Sequence, residues 1–154
     1  AISEIIQQME NNPRTLVIFA GYPDNMRRFI KNSNPGLRSR LTKTIEFKDY
    51  TDDEMSDIFE YLLSEEDYKL EDKDKTREII SNFIDTIKSL NSKNIGNGRL
   101  MRKLFKVAIT YMADRDDNDL VTITVADVKN AIVEIENAEK LISLENNQKK
   151  MGFV

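Results

Sequence analysis

Residues 14–47 read RTLVIFAGYPDNMRRFIKNSNPGLRSRLTKTIEF, and their reading decides the fold. The run Leu16-Val17-Ile18-Phe19-Ala20 is continuously apolar and rich in branched side chains. Continuity without alternation predicts a strand covered on both faces, as in a parallel sheet. Gly21-Tyr22-Pro23 ends it, Pro23 suits the first turn of a helix, and Asp24 sits near that helix's positive end. Met26, Phe29 and Ile30 supply the helix's apolar side, and Arg27, Arg28 and Lys31 a solvated basic one. Asn34-Pro35-Gly36 is turn chemistry, and Thr44-Ile45-Glu46-Phe47 predicts a second strand. Arg38 and Arg40 stand just before that strand, on a loop with little apolar content of its own.

Upstream, Ile2, Ile5, Ile6 and Met9 have helical spacing, which Asn11-Asn12-Pro13 ends. After Tyr50 the character changes. Thr51 with Glu54 forms a capping box ahead of Met55, Ile58, Phe59 and Leu62, the buried face of a helix. A second helix is predicted from about Lys73 to Leu90, burying Ile79, Ile80, Phe83, Ile84 and Ile87. A third starts near Asn97 and carries Leu100, Leu104, Val107, Ala108 and Tyr111. Asp114 to Asp119 is a polar turn, Val121-Thr122-Ile123 a short extended piece, and Thr124 with Asp127 opens a fourth helix through Ile135. The predicted architecture is therefore a partial α/β unit at 1–48, an all-α four-helix unit at 49–140 and a polar tail at 141–154 ending on Met151 and Phe153.

Composition narrows the chemistry. The 154 residues contain no cysteine and no histidine, which removes thiol chemistry, imidazole bases and the usual zinc sites, and fits a cytoplasmic setting. The net charge of −4 conceals an asymmetry. Residues 1–50 carry eight Lys/Arg against five Asp/Glu, and residues 51–154 carry fifteen against twenty-two. A pI near 5.0 argues against nucleic-acid binding, and no apolar run approaches the ~18 residues of a membrane span. The chain opens AISEIIQQMENN, helical and acidic rather than a signal peptide and without an initiator Met, which suits a truncated or processed chain.

A phosphate-binding loop requires G-x-x-x-x-G-K-[ST], so that backbone amides and the lysine cradle the phosphates together. None of Gly21, Gly36, Gly96, Gly98 and Gly152 precedes a lysine, and no apolar strand ends in Asp-Glu to hold magnesium. Asp52-Asp53-Glu54 is a helix start, and no metal-ligating set is evident. Positive candidates are arginines. Arg38 and Arg40 suit a charge offered to a neighbouring molecule; spacing alone favours the plainer reading, surface arginines paired with carboxylates. Arg99, in Ile95-Gly96-Asn97-Gly98-Arg99, adds full charge to a helix N-terminus with free amides. It too has a plain alternative, an exposed arginine beside a capped helix start. Arg102 follows one turn later. Tyr22, at the strand end, reads either as a hydrogen-bond donor or as a packed side chain.

Residues 14–47 and 95–105 together resemble the AAA+ ATPases, in the form typical of the CbxX/CfqX family, which includes the stage V sporulation protein K group and red-type rubisco activases. The resemblance covers about residues 1–137. It implies the end of an AAA+ α/β large subdomain, with sensor 1 near Tyr22, followed by the helical lid. Asn-Pro-Gly-Leu-Arg-Ser-Arg before a strand is the family's arginine-finger pattern. It implies Arg40 as the finger, with Arg38 second. The Gly-Asn-small-Arg motif implies Arg99 as sensor 2, touching nucleotide from the lid, with Gly98 where alanine is more common. The intact protein is then expected to bind ATP and Mg2+ between neighbouring subunits of a ring, a hexamer, and to remodel a protein substrate. This chain alone, lacking the phosphate loop, is expected to bind neither tightly and to be inactive. The reading from another class is a non-catalytic helical interaction or regulatory module.

Overall fold

The described residues are 2–12, 14–90 and 95–150 of a computed structural model, and they divide into two units, 1–48 and 49–154. Each is built by different physics.

Among its described residues the first unit has three short helices, α1 (Ile2–Asn11), α2 (Pro23–Asn32) and α3 (Pro35–Arg40). Pro23 begins α2 as expected, and the half-buried Phe29 packs against Phe19 with ring centroids 5.5 Å apart. The strands expected at 16–20 and 44–47 do not form. Both stretches are irregular chain, and Leu16, Ile18, Ile45 and Phe47 are exposed. A strand exists by virtue of a partner's hydrogen-bond ladder. Among the described residues these stretches have no ladder partner, so apolar continuity alone leaves them uncovered. The α/β half of the expected architecture is thus not shown. Asn34-Pro35-Gly36, read as a turn, is instead a helix start. Asn34 is the N-cap and Pro35 holds the first helical position.

The second unit contains α4 (Asp52–Glu65), α5 (Lys73–Leu90), α6 (Gly98–Ala113) and α7 (Val125–Lys150), the four helices the periodicity predicts. Thr51 Oγ1 accepts the Glu54 N–H at 3.2 Å while Glu54 Oε2 accepts the Thr51 N–H at 2.8 Å, the expected capping box. Met55 and Phe59 of α4, Ile80, Phe83 and Ile84 of α5, Met101 and Leu104 of α6, and Val128 and Ile135 of α7 are sealed from solvent. Each large side chain so buried contributes ~1.5–3 kcal/mol. The core of the molecule sits here. Two strands of two residues, β1 (Lys69–Leu70) and β2 (Thr122–Ile123), pair in parallel with Lys69 opposite Thr122. The sequence signals only β2. The pairing clips the α4–α5 connection to the start of α7. There Thr124 and Asp127 exchange hydrogen bonds, Asp127 Oδ2 accepting the Thr124 N–H at 2.8 Å. α7 runs without a break through Lys150, so residues 141–150, read as a polar tail, are helical. Met151 and Phe153 lie outside the described residues, as do Pro13 and residues 91–94.

Candidate functional site

Asn34 sets the geometry of the first cluster. Its Oδ1 accepts the Leu37 N–H at 2.9 Å, which starts α3 sharply, and Leu37, wholly buried, seats it. The two arginines that follow have different partners. Arg38 Nη2 donates to the carbonyls of Lys31 at 2.7 Å and Ser33 at 3.0 Å. Those carbonyls belong to the C-terminal end of α2, where a cation also complements the helix dipole. Arg38 therefore caps α2. Arg40 Nη1 donates to the Gly36 carbonyl at 2.8 Å, and its Nη2 ion-pairs with Glu10 of α1. With side-chain exposures of 32% and 53%, that pair is solvent-screened and contributes ~0–1 kcal/mol.

Tyr22 occupies the N-cap position of α2 with extended backbone and no capping bond from its side chain. Its carbonyl accepts the Met26 N–H at 2.9 Å, and its ring is more than half exposed. The strand end against which it was read to pack is irregular chain.

The second cluster is built on the turn before α6. Gly96 has φ +78°, and Asn97 has φ +43° with ψ −121°, a combination that glycine adopts readily and other residues do not. The turn closes on the Gly96 carbonyl, which accepts the Arg99 N–H at 2.8 Å. The Asn97 carbonyl accepts the N–H groups of Leu100 at 3.0 Å and Met101 at 3.3 Å. Arg99 is thereby held one residue inside the helix, exposed. Its side chain and that of Arg102 make no hydrogen bond or ion pair among the described residues. With Lys103 and Lys106 they form a basic strip at i, i+3, i+4 and i+7, in which Lys103 is tied to Glu139 of α7 at 3.2 Å. Arg99 and Arg102 are the unneutralised charges of the strip's first turn.

Asn97 was not singled out in the sequence as a functional side chain. Its Oδ1 accepts the Tyr50 N–H at 3.3 Å and its Nδ2 donates to Asp49 Oδ1 at 2.7 Å. The Gly-Asn-Gly run signals a turn, but nothing in local spacing reveals partners 47 and 48 residues away. Glu10, the partner of Arg40, was missed for the same reason.

Several other cations of the second unit are neutralised by carboxylates. Arg77 donates from Nε to Glu60 at 2.6 Å and ion-pairs with Asp57, and Lys73 pairs with Glu60 at 2.9 Å. Partial burial works to raise the Glu60 carboxyl, but hydrogen bonds from Arg77 and Lys73 outweigh it and hold it below its usual range. This group is a structural tie between α4 and α5. Among the described residues no group of three or more carboxylates is placed to hold a metal ion.

Tyr22, Arg38 and Arg40 thus belong to the first unit and Arg99 to the second. Residues 51–138 match the family described as the AAA lid domain. Over 138 residues the chain is 35% identical to "Protein CbxX, chromosomal" of Cupriavidus necator, covering 83% of this chain and 42% of that protein. It is 36% identical over 138 residues to "Protein CfxQ homolog" of Galdieria sulphuraria, covering 83% and 44%. Over 139 residues it is 35% identical to "Ribulose bisphosphate carboxylase/oxygenase activase, chloroplastic" of Cyanidioschyzon merolae, covering 83% and 45%. The chain spans about half the length of these relatives.

Proposed function

Because the chain belongs to the AAA lid domain family, we propose that it works within an ATP-hydrolysing AAA+ remodeller of the CbxX and CfxQ type, supplying a lid arginine, Arg99, and an arginine finger, Arg40. The observation that carries this reading is Arg99: exposed, without a side-chain partner among the described residues, and fixed at the first turn of α6 by a strained turn. An uncompensated guanidinium beside the amides of a helix start suits a phosphate. Arg38, committed to capping α2, leaves Arg40 as the arginine able to exchange its exposed carboxylate partner for a phosphoryl oxygen on a neighbouring subunit. Tyr22, exposed at the start of α2, is assigned to the sensor 1 region.

ATP with Mg2+ is the cofactor of the intact ring, which we take as a hexamer. This chain's share is cationic contact with the phosphates. Its described residues offer no carboxylate set for magnesium, and neither the phosphate loop nor the magnesium-holding strand occurs in its sequence. The chain alone should therefore bind Mg-ATP weakly at most. The substrate is a protein. One relative is named as an activase of ribulose bisphosphate carboxylase/oxygenase, and the sporulation branch rests on the sequence motifs only. Among the described residues no helix is long and apolar enough to cross a membrane, and we place the protein in the cytoplasm, with no nucleic-acid partner.

The Arg40–Glu10 pair is also what a non-catalytic interaction module would contain, and one experiment separates the two readings. In the full-length protein, Arg99→Ala should weaken ATP affinity about tenfold or more, the loss of one charge-assisted hydrogen bond of ~1.5–3 kcal/mol. Because Arg99 has no side-chain partner among the described residues to lose, stability measured by urea unfolding should stay within the ~0.5 kcal/mol typical of surface changes. Unchanged ATP affinity would remove Arg99 from the nucleotide site and leave the interaction-module reading.

A further inference from the structure

We propose that Asn97 is a positioning residue, a latch that joins the start of the second unit to the turn presenting Arg99, so that displacement of Arg99 is passed to residues 49 and 50. The transmission part of this proposal rests on the nucleotide reading of Arg99; the latch itself does not.

The backbone poses the question. At φ +43° and ψ −121°, position 97 is one where glycine is at ease and a residue bearing a Cβ is strained. Glycines already flank it at 96 and 98, so a third would complete the turn without strain. Asparagine persists in a conformation that works against it, and its amide makes two bonds that glycine could not. Nδ2 donates to Asp49 Oδ1 at 2.7 Å, and Oδ1 accepts the Tyr50 N–H at 3.3 Å.

The chemistry of the two partners fixes the amide's orientation. A carboxylate only accepts and a backbone N–H only donates, so neither bond survives a flip of the amide. Aspartate at this position would offer two acceptors and set a second negative charge against Asp49. The same residue's carbonyl receives the Leu100 and Met101 N–H groups that begin α6. One residue therefore holds the first turn of the helix bearing Arg99 through its main chain, and the point where the chain enters the second unit through its side chain. Arg99 lies two positions along. Any movement that a bound anion imposes on that turn reaches Asp49 and Tyr50 directly.

The test has two arms. In the 154-residue chain, Asn97→Gly should speed amide exchange at Tyr50 at least tenfold, while core amides of α4 and α5 keep their protection. Asn97→Asp should do the same, and Asn97→Asp combined with Asp49→Asn should restore slow exchange, because donor and acceptor are then exchanged between the two side chains. A purely structural role for Asn97 gives no reason for that reciprocal rescue. In the full-length protein, Asn97→Gly should lower ATP turnover kcat about tenfold with KM changed less than threefold, and the double substitution should recover kcat. Tyr50 exchange unchanged in Asn97→Gly, or no rescue by the double substitution, overturns the latch. Rescue of exchange with kcat unmoved throughout overturns transmission. A full-length protein that turns over no ATP overturns the nucleotide reading and transmission with it, while the exchange arm still decides the latch.

Discussion

Replacing Arg40 with alanine tests the finger assignment, because fold loss and rate loss should differ by orders of magnitude. In the folded chain Arg40 holds the Gly36 carbonyl at 2.8 Å and pairs with Glu10. The pair is screened and contributes ~0–1 kcal/mol, and a neutral acceptor adds ~0.5–1.5 kcal/mol. Arg40→Ala should therefore lower stability by only about 1–2 kcal/mol. A finger that stabilises charge on the transferring phosphoryl group contributes ~10³–10⁵ in rate, which is ~4–7 kcal/mol on the transition-state scale. The assay is steady-state ATP turnover of the full-length protein, with urea unfolding of the same preparation. Subunits carrying Arg40→Ala should be nearly inactive at near-normal ATP affinity. Mixing them with subunits whose phosphate-loop lysine is replaced should restore part of the activity, since some interfaces then pair an intact site with an intact finger. Arg38→Ala gives the contrast. It removes bonds to the Lys31 and Ser33 carbonyls, and its effect should appear as weaker protection of α2 that mixing does not repair. Turnover of Arg40→Ala within about threefold of the unaltered protein, below ~1 kcal/mol, refutes the assignment, and Arg38 then enters the same mixing assay.

Two further outcomes follow from single residues and a third from the unaltered chain. Gly98 lies outside the left-handed region and a Cβ there meets nothing within 4 Å, so Gly98→Ala should raise stability by ~0.4–1 kcal/mol; a lowered urea midpoint would show an unseen need for glycine. The N–H groups of Val121 and Thr122 hold the Asp119 carboxyl below its usual range. The unfolded chain then binds the proton more readily, so this contribution is present above the unfolded value of about 4 and is lost as pH falls through the folded one. Acidification should therefore loosen the Val121 and Thr122 amides in the folded chain, and Asp119→Asn should remove that pH dependence; an unchanged acid response would refute the assignment. Calorimetric titration of the 154-residue chain with Mg-ATP should show no saturable binding in the low micromolar range, because salt screens an exposed arginine, and tight stoichiometric binding would contradict that expectation.

What the sequence made legible was local. Thr51 and Glu54 announce the start of α4, and Thr124 with Asp127 that of α7, because each signal lies within a few residues of the helix it opens. The α5 face of Ile80, Phe83, Ile84 and Ile87 is readable because its period is that of a helix. The strands at 16–20 and 44–47 were misread for a complementary reason. Apolar continuity specifies that a segment wants cover and says nothing about whether a ladder partner is present. Asn34-Pro35 misled because the same residues suit a turn and a helix start, and the following Leu37, buried, decides between them. At the candidate site the arginines could be named, but their partners could not. Glu10 lies 30 residues from Arg40, and Asp49 lies 48 from Asn97, so those pairings exist only through the fold.

The energetic contrast within the second unit indicates where a lid of this kind can respond to ligand. Phe59, Phe83, Ile84, Met101 and Leu104 are sealed, and disturbing their packing opens cavities at ~2–5 kcal/mol for each large side chain affected. A core packed to that density passes displacement on rather than absorbing it. The turn before α6 is different. Its two side-chain bonds, at 2.7 and 3.3 Å, contribute ~0.5–1.5 kcal/mol each when the partner is neutral and more toward the Asp49 carboxylate. The backbone of Asn97 offsets them by ~1–3 kcal/mol. The balance lies within reach of one charge-assisted bond from Arg99 to a phosphate, ~1.5–3 kcal/mol. On the proposed nucleotide reading of Arg99, a phosphate contact would be sufficient to shift residues 96–98 and insufficient to repack the four helices. The helices of the second unit should move together, and the change in hydrogen bonding should be confined to Asn97, Asp49 and Tyr50.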